Sequence, residues 1–345
     1  MARVLLLSAY RADSHAWWAS WLRREFDDID WQVLELPGRH FAWRIRGNPL
    51  SWLEKIPAEP PDRILATSMV DLATLKGLNP QLSGVRSLLY FHENQFAYPP
   101  SDDQVRSVEP AMVQIYAALS ADRLLFNSAF NRTSFLEGAA ALLARMPDHV
   151  PPGIAERLER KSSVLPVGID PIAPAADRDR KLIVWNHRWE YDKQPELFAE
   201  AMIRLAERGI EFRLALLGAR GRQPVPALER LRATLPERIV ADGFLAHDEY
   251  RSLLARAGIV VSTAVHEFQG LAMLEAVSAG AIPLVPDALC YPEQYPAGYR
   301  YPAGDLGQLV LELDRFVSDD GLSPPSVEPW LSSTLRGIWL KALTD

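Results

Sequence analysis

Ile259-Val260-Val261-Ser262-Thr263-Ala264-Val265-His266-Glu267-Phe268-Gln269-Gly270-Leu271-Ala272-Met273-Leu274-Glu275-Ala276 runs from an apolar stretch through a short turn into an apolar-periodic segment. Ile259 to Ser262 reads as a buried strand, and Leu271 to Ala279 has helical spacing, with Leu271, Leu274 and Val277 on one side. Glu267 is then placed at the carboxyl end of a strand and Glu275 inside the following helix. Between them, the N–H groups around Gly270-Leu271-Ala272 form a helix start, where free donors and a partial charge of about +0.5 favour a phosphate. Gly270 lets that backbone approach a ligand closely. On this spacing alone, an ordinary strand, turn and amphipathic helix with two surface glutamates explains the segment equally well.

A second element shifts the balance. Trp185-Asn186-His187-Arg188-Trp189-Glu190-Tyr191-Asp192-Lys193 follows the apolar run Leu182-Ile183-Val184, which puts Arg188 and Lys193 after a strand end, where ligand groups lie in open parallel sheets. Two cations there would hold a diphosphate as it gains charge on leaving a sugar. Either residue alone reads as part of a solvated surface pair.

Together these residues resemble the retaining glycosyltransferases of family four, which have the GT-B fold. The resemblance rests on an Arg-x4-Lys pair (Arg188, Lys193), a Gly-Phe pair before a helix (Gly243, Phe244) and a Glu-x7-Glu element (Glu267, Glu275). It implies that Arg188 and Lys193 bind the donor diphosphate and that the backbone at Gly243-Phe244-Leu245 faces the base. It further implies that Glu275 bonds the ribose hydroxyls, that Gly270-Leu271-Ala272 line the nucleotide, and that Glu267 sits beside the transferred sugar.

The N-terminal half narrows the likeness. Leu88-Leu89-Tyr90-Phe91-His92-Glu93-Asn94-Gln95-Phe96-Ala97-Tyr98-Pro99, Phe126-Asn127-Ser128-Ala129-Phe130-Asn131 and Met146-Pro147-Asp148-His149 resemble the tRNA-queuosine alpha-mannosyltransferase family. His187-Arg188-Trp189-Glu190 and Tyr291-Pro292-Glu293 fit the same family. The resemblance implies transfer of mannose from GDP-mannose to queuosine in the anticodon of aspartate tRNA, with His92 close to the sugar. His92 would hydrogen-bond the sugar or steady charge at the anomeric centre; a lone histidine also serves structural roles. Asp13, His15, Asn94 and Asn127 are the expected acceptor-side residues, joined by Arg44 and Arg46 from the basic, aromatic run Arg39 to Arg46. Where the family tends to carry Gly-Gly before Ser-His, this chain has Tyr10-Arg11-Ala12-Asp13-Ser14-His15, which hinders close backbone approach. Asp13 contacts an acceptor hydroxyl or caps a helix from Ser14 to Phe26.

Implied retention needs no protein nucleophile, because in front-face substitution the leaving diphosphate oxygen takes the acceptor's proton. Glu267 either hydrogen-bonds sugar hydroxyls or acts as a nucleophile. Loss of Arg188 or Lys193 is expected to slow turnover about 100- to 1000-fold with folding intact.

The chain's 345 residues suit two domains, read as an acceptor-side domain over 1–170, a linker from Pro171 to Arg180, and a nucleotide-sugar domain over 181–328. Alternating strands and helices in both halves predict parallel sheets, hence an α/β protein of two Rossmann-like domains facing across a cleft. Residues 329–345 form an apolar-faced helix through Leu331, Leu335, Ile338 and Trp339, which by family resemblance crosses back to the first domain. The single cysteine, Cys290, excludes an internal disulfide and a multi-cysteine metal cluster. No metal or resident cofactor is expected; Asp102-Asp103 is an adjacent loop pair and a poor cation site. Val4-Leu5-Leu6-Leu7 is too short for a signal peptide and no stretch is long enough to span a bilayer, so a cytoplasmic location without membrane or protein partners is expected.

A net charge of −7 is unusual for a tRNA-binding protein, whose affinity draws on phosphate contacts. Arg39-His40-Phe41-Ala42-Trp43-Arg44-Ile45-Arg46 interleaves cations with aromatics, which suits phosphate contact and base stacking and equally suits a strand with alternate faces exposed. Arg23-Arg24 and Arg220-Gly221-Arg222 are weaker candidates. Rival readings are a family-four enzyme with a lipid, glycan or small-molecule acceptor, a nucleotide-sugar epimerase, and a non-catalytic RNA-binding relative.

Overall fold

The computed structural model describes residues 1–98, 107–221, 223–319 and 321–345; Pro99, Asp102, Asp103 and Arg222 lie outside the described residues. The chain divides into two compact units, Met1–Gly168 with Leu335–Asp345, and Ile169–Thr334.

In the first unit, strands β1 (Arg3–Arg11), β2 (Asp30–Pro37), β3 (Arg63–Thr67), β4 (Arg86–Phe91), β5 (Arg123–Phe126) and β6 (Ser162–Val164) form one sheet in the order β2-β1-β3-β4-β5-β6. Every pairing is parallel. Val4, Leu5, Leu6, Leu7 and Ala9 of β1 are all buried, as a strand covered by helices on both faces requires. The order reverses between β1 and β3, so the loops after those strands and after β4 open on the sheet's carboxyl edge.

The second unit repeats the plan with β7 (Asp179–Trp185), β8 (Arg213–Leu216), β9 (Ile239–Asp242), β10 (Ala257–Val261), β11 (Ile282–Pro286) and β12 (Arg300–Tyr301), ordered β12-β11-β10-β7-β8-β9 and parallel throughout. Its reversal lies between β7 and β10. Two short edge strands escape the sequence pattern. β6 is Ser-Ser-Val, without an apolar run, and β12 has two residues.

Three expectations are corrected. Residues 171–180, read as a linker, belong to the second unit: Arg251 donates to the Pro171 carbonyl at 2.9 Å, Ser278 Oγ accepts the Ile172 N–H at 3.2 Å, and Ala175 N–H reaches the Ala255 carbonyl at 2.9 Å. The last helix is Ser332–Thr344 and buries Leu335, Trp339, Ala342 and Leu343. Ile338 is 54% exposed, and Leu331 precedes the helix in a bridge to Ile169. Within the first unit, Trp339 packs on Trp18, Trp21 and Tyr90 at ring separations of 5.8, 6.0 and 5.1 Å and donates to the Pro166 carbonyl at 2.9 Å. Third, Phe41–Trp52 is a helix, so the strand alternative for Arg39–Arg46 is excluded. Pro49 inside it has no N–H for the Ile45 carbonyl, and Asn48 Nδ2 supplies a donor instead at 3.3 Å.

Candidate active site

Both motifs of the second unit meet at its strand-order reversal, one after β7 and the other after β10. Ligands in open parallel sheets bind at such a point. The 3₁₀ turn Tyr191–Lys193 is fastened to the loop after β10: Val265 N–H donates to the Asp192 carbonyl at 2.9 Å, and Thr263 Oγ1 donates to the Lys193 carbonyl at 2.7 Å. Lys193 consequently points under that loop. Its ammonium reaches the His266 carbonyl at 2.5 Å, Asp192 Oδ2 at 3.1 Å and Glu267 Oε2 at 3.3 Å, which engages all three of its donors. Arg188 stands nearer solvent, with a side chain 55% exposed and paired with Glu190 at 3.3 Å.

The electrostatics follow from this packing. Burial alone would raise the Glu267 carboxyl, but the Lys193 charge and the Gly270 N–H outweigh it and hold it down to about 2. Glu267 Oε1 also accepts the Phe268 N–H at 3.1 Å. Asp192 is likewise opposed by burial and brought down to about 2, by His266 and Lys193. Burial disfavours the Lys193 cation, yet the two carboxylates raise its pKa overall. His187, buried beside the group, falls to about 4 through burial first and the Lys193 charge second, so it is neutral at physiological pH. Its Nε2 is buried without a hydrogen-bond partner among the described residues.

Gly270 has φ +64° and begins the helix Leu271–Ser278, leaving the Leu271 and Ala272 N–H groups in its first turn without intrahelical acceptors. Glu275, one side of that helix, receives the Tyr250 hydroxyl at 3.2 Å, and Asn186 Nδ2 bridges Tyr250 Oη at 3.2 Å and the Ala272 carbonyl at 2.8 Å. Burial raises the Glu275 pKa while Tyr250 opposes the rise. Gly243, at φ +137°, ends β9 on the same carboxyl edge, followed by Phe244 at 82% exposure and half-buried Leu245. An apolar ring so exposed at a ligand edge is available for stacking on a base.

Asp192, Asn186, His187, Tyr250 and His266 are site components that the sequence reading did not single out. Asp192 and His266 adjoin motif residues, which was a usable signal. Tyr250 lies on a separate helix, His247–Arg256, with no local signal.

In the first unit, His92 follows β4 and packs on His15, Trp18 and Tyr90 at 4.2, 4.8 and 4.7 Å between rings. His15 Nδ1 lies 2.5 Å from the Tyr10 carbonyl, which makes that nitrogen the donor. Burial, then the neighbouring His15, push the His92 pKa well below its ordinary value, so the imidazole is neutral. It can exchange hydrogen bonds and cannot steady charge as a cation. Its Nε2 is buried without a partner among the described residues.

Three expected acceptor residues, Asn94, Asn127 and Arg46, are engaged with internal partners, and Asp13 loses only its capping alternative. Asn94 is fully buried, with Nδ2 on Asn131 and Ser134 and Oδ1 on the N–H groups of Phe96 and Ala97. Asn127 donates to the His92 carbonyl at 2.8 Å and accepts from Asn131 at 2.8 Å. Both side chains are engaged in holding the β4 and β5 loops. Arg46 pairs with Asp71 at 2.6 Å and Glu109 at 3.3 Å, so its charge is matched internally. Asp13 is exposed in the first turn of the helix Asp13–Glu25, whose N-cap is Ala12, so neither Asp13 nor Ser14 caps it. Arg44 is half-buried on the Phe41–Trp52 helix. Met146 to His149 follows the helix Ala129–Leu143, which runs back from the carboxyl edge, and so lies at the opposite edge of the sheet.

Among the described residues, no group of three His, Cys, Asp or Glu is disposed to hold a metal ion, and no helix is long and apolar enough to cross a membrane.

Comparison with known proteins bears on the family and the fold. Residues 3–169 match the family model "tRNA-queuosine alpha-mannosyltransferase N-terminal", and residues 180–319 match "Glycosyl transferases group 1". A Drosophila melanogaster protein named tRNA-queuosine alpha-mannosyltransferase is 36% identical over 312 residues, covering 86% of this chain and 83% of its own length. Among solved structures, Anabaena HepE in complex with UDP is similar with a TM-score of 0.71 at 13% identity, over 100% of both chains. The lipopolysaccharide outer core galactosyltransferase WaaB, in its apo form, is similar with a TM-score of 0.65 at 12% identity, over 99% of both. At such identities these structures bear on the fold alone, which is GT-B. The enzyme class comes from the sequence matches: the chain is a glycosyltransferase and belongs to the tRNA-queuosine alpha-mannosyltransferase family.

Proposed function

We propose that this chain is a retaining mannosyltransferase that moves mannose from GDP-mannose to queuosine in the anticodon of aspartate tRNA, in the cytoplasm. The observation that carries the reading is the convergence of Lys193, Glu267, Arg188 and the Leu271–Ser278 helix start at the strand-order reversal, in a chain of this family.

Arg188 and Lys193 bind the diphosphate and stabilise the charge it gains. The acceptor oxygen bonds to the anomeric carbon on the face the diphosphate leaves, the carbon–oxygen bond to phosphate breaks, and the acceptor's proton passes to the leaving phosphate oxygen. Glu275, presented by Tyr250, bonds the ribose hydroxyls, while the N–H groups of Gly270, Leu271 and Ala272 line the nucleotide. Gly243-Phe244-Leu245 faces the base. Glu267 bonds sugar hydroxyls. A carboxylate brought down to about 2 by a cation and backbone donors is a weak nucleophile, which supports that role over double displacement. Neutral His92, ordered by His15, bonds the transferred sugar. Asp13, Arg44 and the exposed Trp43 beside it are the acceptor-side groups still accessible.

The test is a donor panel of GDP-mannose, UDP-galactose and UDP-glucose with queuosine-bearing tRNA, scored by nucleoside diphosphate release. Release confined to GDP-mannose and slowed about 100- to 1000-fold by Arg188→Ala is expected. Preference for a uridine donor would overturn the donor assignment, and tRNA-independent turnover with another acceptor would favour the lipid, glycan or small-molecule reading.

A further inference from the structure

Lys193 has three N–H donors and three oxygens already on them, at 2.5, 3.1 and 3.3 Å. A diphosphate oxygen can bond this ammonium only if one of the three lets go. The His266 carbonyl is fixed by the backbone, since Val265 and Thr263 tie its loop to the turn that carries Lys193. The two carboxylates differ. Glu267 is the longest contact and has other donors: the Phe268 N–H at 3.1 Å and the Gly270 N–H. Asp192 is 6% exposed, and its Oδ1 is buried with no partner among the described residues. His266 Nδ1 lies 3.8 Å from the other oxygen, Oδ2, a longer contact than the 3.1 Å to Lys193. Parting from Lys193 would leave Asp192 a buried anion with only the long His266 contact, a heavy cost.

We propose that Asp192 is the positioning residue of this site, the permanent counter-charge that keeps Lys193 in place, while Glu267 is the exchangeable one that diphosphate displaces toward the sugar. This rests on the donor reading given under Proposed function. Asp192 touches no substrate; it acts by keeping the ammonium aimed. Neutralising it has opposite effects on two observables. One negative charge near the diphosphate is removed, so nucleotide binding holds or tightens. Lys193 is no longer held in place, so its aim at the developing charge is lost and turnover falls.

The experiment compares wild type with Asp192→Asn by calorimetric titration of GDP and by steady-state transfer from GDP-mannose. GDP affinity unchanged or up to about threefold tighter, with kcat down at least about tenfold, is expected. A variant that loses GDP affinity in step with kcat would show a merely structural role, and one with wild-type kcat would show none; either overturns the proposal. Should Asp192→Asn not fold, Asp192→Glu, which keeps the charge, carries the test: kcat within about tenfold of wild type supports the assignment and a larger loss with GDP affinity also lost overturns it. If wild type neither binds GDP nor transfers mannose, the donor reading fails on its own. Acetic anhydride labelling of Lys193, read by peptide mass spectrometry, then decides the positioning role: protection lost in a folded Asp192→Asn or Asp192→Ser protein supports it, and equal protection contradicts it.

Discussion

Lys193→Ala would remove the cation from a pocket in which the Lys193 and Asp192 side chains are each 9% exposed and that of Glu267 is 20% exposed. Taking one partner from a buried ion pair leaves uncompensated charge and costs about 3–5 kcal/mol. Arg188 presents the opposite case. Its pair with Glu190 joins side chains 55% and 50% exposed, so Arg188→Ala costs no more than about 1 kcal/mol. For a unit of this size, about 2–4 °C of Tm is lost per kcal/mol, which gives a drop of about 6–20 °C for Lys193→Ala and less than about 4 °C for Arg188→Ala. The intact fold expected from sequence therefore applies to Arg188→Ala and is revised for Lys193→Ala. The loss also has a pH signature. Glu267 and Asp192 both have folded values of about 2, below their ordinary 4.5 and 3.8. Groups depressed on folding contribute stability that is complete above the unfolded values and disappears as pH falls through the folded ones. The gap between wild type and Lys193→Ala should be full at pH 7 and close between about pH 4.5 and 2. Calorimetric melting from pH 7 down to pH 3 measures it. A Lys193→Ala protein as stable as Arg188→Ala, or a gap that widens in acid, would refute the buried-triad reasoning.

Other consequences are open to direct measurement. Tyr250→Phe removes one hydrogen bond to Glu275, worth about 1 kcal/mol, and should raise the donor KM about fivefold with kcat nearly unchanged. Gly218→Ala should unfold or strongly destabilise the second unit, because its φ is +88° and an added Cβ would stand 1.9 Å from the His187 carbonyl; expression and thermal melting report it. Trp339→Ala empties the aromatic cluster under the last helix and should cost about 3–5 kcal/mol in the urea unfolding of the first unit.

Most of the architecture is written in the periodicity of the chain. Long apolar runs such as Val4–Leu7 and Ile259–Val261 mark central strands because helices cover both faces, whereas β6 and β12, at sheet edges, need neither length nor apolarity. The helix carrying Arg44 and Arg46 was ambiguous because Pro49 weakens its local signal, and the side chain that compensates, Asn48, also reaches the Met69 carbonyl 21 residues away. The residues proposed for the nucleotide side stand out in the sequence because Arg188, Lys193 and Glu267 follow strand ends and Glu275 lies in the helix that comes next, on one sheet edge. The internal engagement of Asn94 and Asn127 was not, because it depends on Asn131 and Ser134 one helix away. A short motif reads as ligand-facing whether its amides point at a substrate or at each other. Likewise the charge on Arg46 is matched by Asp71 and Glu109, contacts that only the tertiary fold creates.

The central claim, mannose transfer to queuosine, is tested most directly by mass spectrometry of nucleosides from queuosine-bearing aspartate tRNA incubated with the purified protein and GDP-mannose. The expected result is a gain of one hexose on queuosine that is lost with Arg188→Ala, a variant whose fold should remain intact. Unmodified queuosine, from a folded wild-type protein that binds GDP-mannose, would contradict the assignment of the acceptor.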